Sequence, residues 1–249
     1  MNYDAYLFTD KPIPYKELLF YPIMVKDYMD FLWYVECLLL DKNAIPDINV
    51  ISMSYLEFLF YLADNEDIIH LQKLIALFCM VLNVEADTIK LYKRDNKPYI
   101  SINDIEYDNK DLLEIKKIIF LQNDIDDIDE TIQKELRDSF RQAEELKAKL
   151  SGVKPGTFED NIICLMAAMP GLTLNDIYNM PVRKFNKALK RADHKLHYEI
   201  YLAASMSGMV TFKDKNAIKH WMANLDETDK YQDVKMGLNE LHNKIATEK

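Results

Sequence analysis

Apolar residues recur along this chain at two spacings, and the switches between them mark out its elements. From Val25 to Asp41, the residues Tyr28, Phe31, Leu32, Val35, Leu38 and Leu39 fall on one face at helical spacing. Met29, Trp33, Tyr34 and Leu40 add apolar groups on the other sides. A helix that is apolar nearly all round either lies in a core or is half covered by a partner. Asp41 to Asp47 breaks the pattern, with Pro46 as punctuation. Ser52 or Ser54 can cap a second helix to about Ala63, and Asn65 a third over Glu66 to Asn83. Over residues 88–106 the apolar residues Ile89, Leu91 and Tyr92, then Pro98 to Ile102, flank a polar Arg94–Lys97 turn. That predicts a β-hairpin continuing to Ile105. Asn109 can cap a further helix, Lys110 to Gln122, whose apolar positions would cover the hairpin. Before all of these, Pro12, Pro14 and Pro22 surround Leu18–Tyr21, which suits a short strand or an extended arm.

Beyond an acidic stretch, Asn123 to Glu130, the residues from Thr131 to Leu150 are densely charged with few apolar positions, as in a solvated or bridging helix. Ser151–Gly156 holds two glycines and a proline and is the best linker in the chain, so the expected domains are residues 1–150 and 157–249. Thr157, followed by Glu159 and Asp160, is a good N-cap for a helix ending at Pro170-Gly171. Thr173 can cap a short helix over Leu174–Asn179, and Pro181 suits the first position of a long helix to about Ser205. Val210–Phe212 reads as a brief extended exit, Lys215–Ala223 as a packed helix and Thr228–Lys249 as a polar tail helix. The expected fold is mainly α, with two helical domains, the first carrying a small β-hairpin. Scarce glycine, 5 residues in all, agrees, because tight hairpins and barrels draw on positive-φ positions that glycine fills cheaply.

The formal charge of −10 argues against nucleic acid as the partner of the whole chain, since phosphate binding needs a basic face. It suits an acidic, solvated surface or docking on basic partners. Cys37, Cys79 and Cys164 sit in apolar runs without paired spacing, which predicts buried free thiols in a reducing compartment. Met1–Asp10 lacks the basic start and apolar stretch of a signal peptide. The most apolar run, Tyr28 to Leu40, is too short to span a bilayer and contains Asp30 and Glu36. A cytosolic protein without a membrane segment is expected.

Residues with chemical potential form no catalytic arrangement. His194 and His197 share a helix face at i, i+3, where two ligands could meet one metal, but the spacing is not HExxH and no third ligand is evident. Asp124 to Asp129 with Glu135 invites a calcium-loop reading, yet Ile128 and Asp129 stand where an oxygen ligand and a glycine belong. P-loop, GxGxxG and GxSxG motifs are missing. No catalytic, cofactor or metal residues are therefore assigned, and the chain is expected not to be an enzyme. What remains are binding surfaces. Arg183, Lys184, Lys187, Lys190, Arg191 and Lys195 run along one helix side in an otherwise acidic chain. Methionines concentrate in the second domain, where they suit adaptable contacts as well as core filling. The candidate partner-binding residues are Trp33, Tyr34, Arg183, Lys187, Arg191 and Trp221.

Several phrases of the sequence together carry a family resemblance. They are YPIMVKDYMDF (Tyr21–Phe31), LLLDKNAIPDINVISMSYLEFLFYL (Leu38–Leu62), KPYISINDIEYDNKDLLEIKKIIFLQN (Lys97–Asn123) and Asn161–Asp226 with its SGMVTFK and IKHWM. In that order they resemble tail-morphogenesis proteins of phages and prophages of Gram-positive bacteria, several of which are described as tail assembly chaperones or virion proteins. The resemblance implies a non-enzymatic protein that binds tape-measure protein, tail tube or baseplate proteins in the host cytoplasm and shields apolar surface until the tube polymerises. The alternative it implies is a structural virion component: a baseplate, connector or capsid-associated subunit. An oligomer is compatible with either.

Overall fold

The computed structural model describes residues 3–128, 134–150, 156–208 and 220–223. It is mainly α. A short helix α1 (Asp4–Thr9) precedes a β-hairpin of β1 (Ile13–Tyr15) and β2 (Leu18–Phe20), paired Ile13 to Phe20. Then follow α2 (Tyr28–Val35), α3 (Ile48–Ser52), α4 (Tyr55–Asn65) and α5 (Ile69–Leu82). Strands β3 (Ile89–Arg94), β4 (Lys97–Ile102) and β5 (Ile105–Tyr107) form an antiparallel sheet in that order. The rest is helical: α6 (Asn109–Asn123), α7 (Lys134–Leu150), α8 (Phe158–Ala168), α9 (Leu174–Tyr178) and α10 (Val182–Met206).

Several boundaries differ from the periodic reading for local reasons. The helix expected over 25–41 is α2 flanked by 3₁₀ turns at Val25–Asp27 and Glu36–Leu38. It does not run on as α because the Tyr55 hydroxyl donates to the Cys37 carbonyl at 2.9 Å and accepts from the Leu40 amide at 3.1 Å. Asn65 ends α4 and does not cap α5, whose first amide is taken by Asp67. Asp108, not Asn109, caps α6 in a reciprocal box with Asp111, and Asn109 accepts the Leu56 amide. Ser54, Thr157 and Thr173 cap α4, α8 and α9 in the same reciprocal way. The hairpin gains a third strand. Its two turns place Asp95-Asn96 and Asn103-Asp104 at positive φ, so Asn and Asp do the work that scarce glycine would do elsewhere. Val210–Phe212 and the 228–249 tail lie outside the described residues, and of 215–223 only 220–223, a turn, is described.

The chain divides into two compact units, Met1–Ala192 and Asp193–Lys249. The division falls within α10 and not at the 151–156 linker. The reason is burial: Ile162 and Leu165 of α8, Ile177 of α9, and Val182 and Phe185 of α10 join the same core as Phe20, Phe31, Phe78 and Ile119. Phe158 joins the early helix α2 to α10 through its ring, 5.0 Å from Tyr28 and 5.5 Å from Phe185.

An extended strap from Phe20 to Val25 ties this core together. The Tyr21 amide donates to the Val81 carbonyl at 2.7 Å, and Gln122 donates to the Phe20 carbonyl at 2.9 Å. Fully buried Asn123 accepts the Ile23 amide at 3.0 Å and donates to the Ile119 carbonyl at 2.9 Å. Met24 and Pro181 form an antiparallel bridge, with the Val25 amide on the Met180 carbonyl and the Val182 amide on the Ile23 carbonyl. The strap's backbone polar groups are thus satisfied by three different elements, as burial demands.

Candidate partner-binding surfaces

Trp33 projects from α2 with 53% of its surface exposed. Its ring is nevertheless fixed. Lys73 of α5, itself only 6% exposed, sets its ammonium 3.4 Å from the ring centroid and 2.6 Å from Glu36 Oε2. A buried lysine needs such compensation, and here the indole and the Glu36 carboxylate supply it together. Tyr34, on the next position, is half-buried and packs against the core.

Arg183 and Lys187 lie one turn apart on α10. With Lys184 and with Asp4, Leu7 and Phe8 of α1 they line a cleft of about 400 Å³. Lys184 is ion-paired with Asp10. Arg191 is half-buried and outside this lining. Trp221 belongs to the second unit, half-buried in the turn at 220–223 beside the His220 ring. Of the six candidates, then, Arg183 and Lys187 meet in one cleft, Trp33 and Tyr34 share a helix, and Arg191 and Trp221 join neither group. Sequence reasoning missed Phe8 and Lys73. Phe8 is 83% exposed on a six-residue helix with no period to read, and Lys73 hides in a helix as an ordinary charged residue.

A larger cleft, about 850 Å³, opens between the start of α4 and the first turns of α6, with Lys42, Tyr55, Leu113 and Lys116 on its walls. Lys116 is buried, lies over the Tyr55 and Phe120 rings and pairs with Asp127 at 2.7 Å. Asp127 and Asp124, which accepts from Asn186 at 3.3 Å, bind the acidic stretch to the fold through side chains.

In the second unit His194 Nε2 lies 3.3 Å from the His220 carbonyl, and His197 lies 3.4 Å from Asp193 and stacks on Tyr201. Among the described residues no group of three or more His, Cys, Asp or Glu could hold a metal ion. The thiols are not alike: Cys37 is buried, Cys79 half-buried and Cys164 exposed, so burial of all three is corrected at Cys164, which rides the outer face of α8. Burial pushes the Cys37 thiol up to about 12. No helix among the described residues is long and apolar enough to cross a membrane.

Among the described residues, the second half of α10 presents the widest apolar exposure on one helix. Leu196, Ile200, Tyr201, Leu202 and Met206 are all exposed.

Residues 151–226 match the family model described as the YomV second domain. The match suggests a phage-derived protein family. It covers less than a third of the chain and takes in α8, α9, α10 and Trp221. Comparison with curated proteins and with solved structures gives no match.

Proposed function

We propose that this chain is a non-enzymatic phage assembly protein that binds other proteins, and that its step is tail morphogenesis. Its clients are the tape-measure protein, the tail tube protein or both. The observation that carries this reading is the apolar face of α10, with Leu196 51%, Ile200 62% and Met206 79% exposed inside the segment that matches the YomV second domain. Apolar side chains left open along one helix are costly in water, and the usual use of such a face is to seat a partner helix or groove. Tape-measure protein, expected as a long helical chain, presents that kind of partner. Trp33, held rigid by Lys73, adds an aromatic anchor of the sort that dominates protein interfaces.

Coexpression with tape-measure and tube proteins tests the reading. The expected result is a complex that survives purification and is lost when Leu196, Ile200 and Met206 are changed together to Ser. Absence of any complex with either client overturns it. Mass spectrometry of purified particles beside the lysate separates an assembly factor, abundant in the lysate and missing from the particle, from a virion subunit present in fixed stoichiometry.

A further inference from the structure

The cleft between α1 and the start of α10 combines two features seldom found together on an acidic protein. One is an aromatic side chain held in the open: Phe8 is 83% exposed, while its neighbours Tyr6 and Leu7 pack against the core. The other is uncommitted positive charge. Lys184 is neutralised by Asp10, but Arg183 and Lys187 have no carboxylate partner among the described residues. They stand at i, i+4, one turn apart, so both reach the same side of the cleft. About 400 Å³ of space lies between them and Phe8, room for a few side chains and not for a domain.

We propose that this cleft docks an acidic segment of a partner protein. One or two of the segment's carboxylates meet Arg183 and Lys187, and an adjacent Leu or Phe packs on Phe8. The inference rests on the protein-binding reading above and adds the chemistry of one contact. Charge complementarity favours it: these cations are a positive spot on a chain of net charge −10, and a carboxylate satisfies the arginine with two parallel hydrogen bonds. Nucleic acid fits less well. A phosphate backbone draws on many cations along a track, whereas this cleft offers Arg183 and Lys187, with Lys184 already paired to Asp10.

Selection of a displayed random peptide library on the full chain tests the proposal. Enriched peptides should carry Asp or Glu next to Leu or Phe. Their binding should fall about tenfold with Lys187→Glu, further with Arg183→Glu added, and measurably with Phe8→Ala. Each variant should unfold at the wild-type midpoint, and Phe8→Ala, at an exposed position, keeps the test valid if a charge reversal disturbs folding. No enrichment, enrichment of peptides without acids, or binding that Lys187→Glu and Phe8→Ala leave unchanged would overturn it. So would an oligothymidylate that binds the same cleft more tightly than the peptides. The selection uses no tail protein, so its outcome and that of the coexpression experiment fail independently.

Discussion

The two halves of α10 use the same kinds of residue for opposite ends. In the first half Val182 is 0% and Phe185 1% exposed, and Ala188, Leu189 and Ala192 are drawn against the core. In the second half Leu196, Ile200 and Met206 stand open. Periodicity alone cannot tell the two stretches apart, because an apolar stripe looks alike whether the protein or a partner covers it.

The largest expected effect breaks or keeps that contrast directly. Phe185→Ala should cost about 3–5 kcal/mol in denaturant unfolding, whereas Leu196→Ala and Ile200→Ala should stay within about 0.5 kcal/mol. Equal costs at all three positions would mean the second half is covered too. Next comes the strap that covers the first half. Asn123→Ala strands the buried Ile23 amide and should cost about 2 kcal/mol by the same measurement.

A pH titration sharpens the comparison further. Asp111 fastens the β1–β2 turn, accepting from Tyr15 at 2.8 Å and from Lys16 at 2.5 Å. Burial pushes its carboxyl up, but the hydrogen bonds from Lys16, Tyr15 and the Asp108 amide outweigh that and leave it lowered. The ionised form thus favours the folded state. Its contribution is complete above the ordinary carboxylate value of about 4 and is lost as pH falls through the lowered one. Stability should decline with acid in that window, and Asp111→Asn should flatten the decline. The smallest effect is chemical and leaves stability untouched. Exposed Cys164 should react with iodoacetamide within minutes in native buffer, and Cys37 only after denaturant is added, read by peptide mass mapping.

Much of the fold was legible where one local rule acts alone. Thr157 and Thr173 cap their helices as their sequences predict, because an N-cap needs only its own first turn. The hairpin at 89–102 was legible for the same reason. Short elements were not. Neither α1 nor α3 is long enough to display a period, and β5 has three residues. Scarce glycine was read as a bar to tight turns, but Asn96, Asn103 and their aspartate neighbours adopt positive φ unaided. At the candidate sites the Arg183–Lys187 stripe could be seen, since charge spacing is local. Phe8 could not, because its meeting with α10 joins residues far apart in the sequence. The Lys73–Trp33 contact was hidden likewise.

The Met24–Pro181 bridge sets a timetable for synthesis. Its two sides lie more than 150 residues apart, so the amide of Val25 and the carbonyl of Ile23 wait for their partners until nearly three quarters of the chain has left the ribosome. At ordinary elongation speeds that wait is on the order of ten seconds. For that interval the nascent core stays open along the strap, and a ribosome stalled before Val182 would release a chain unable to close it.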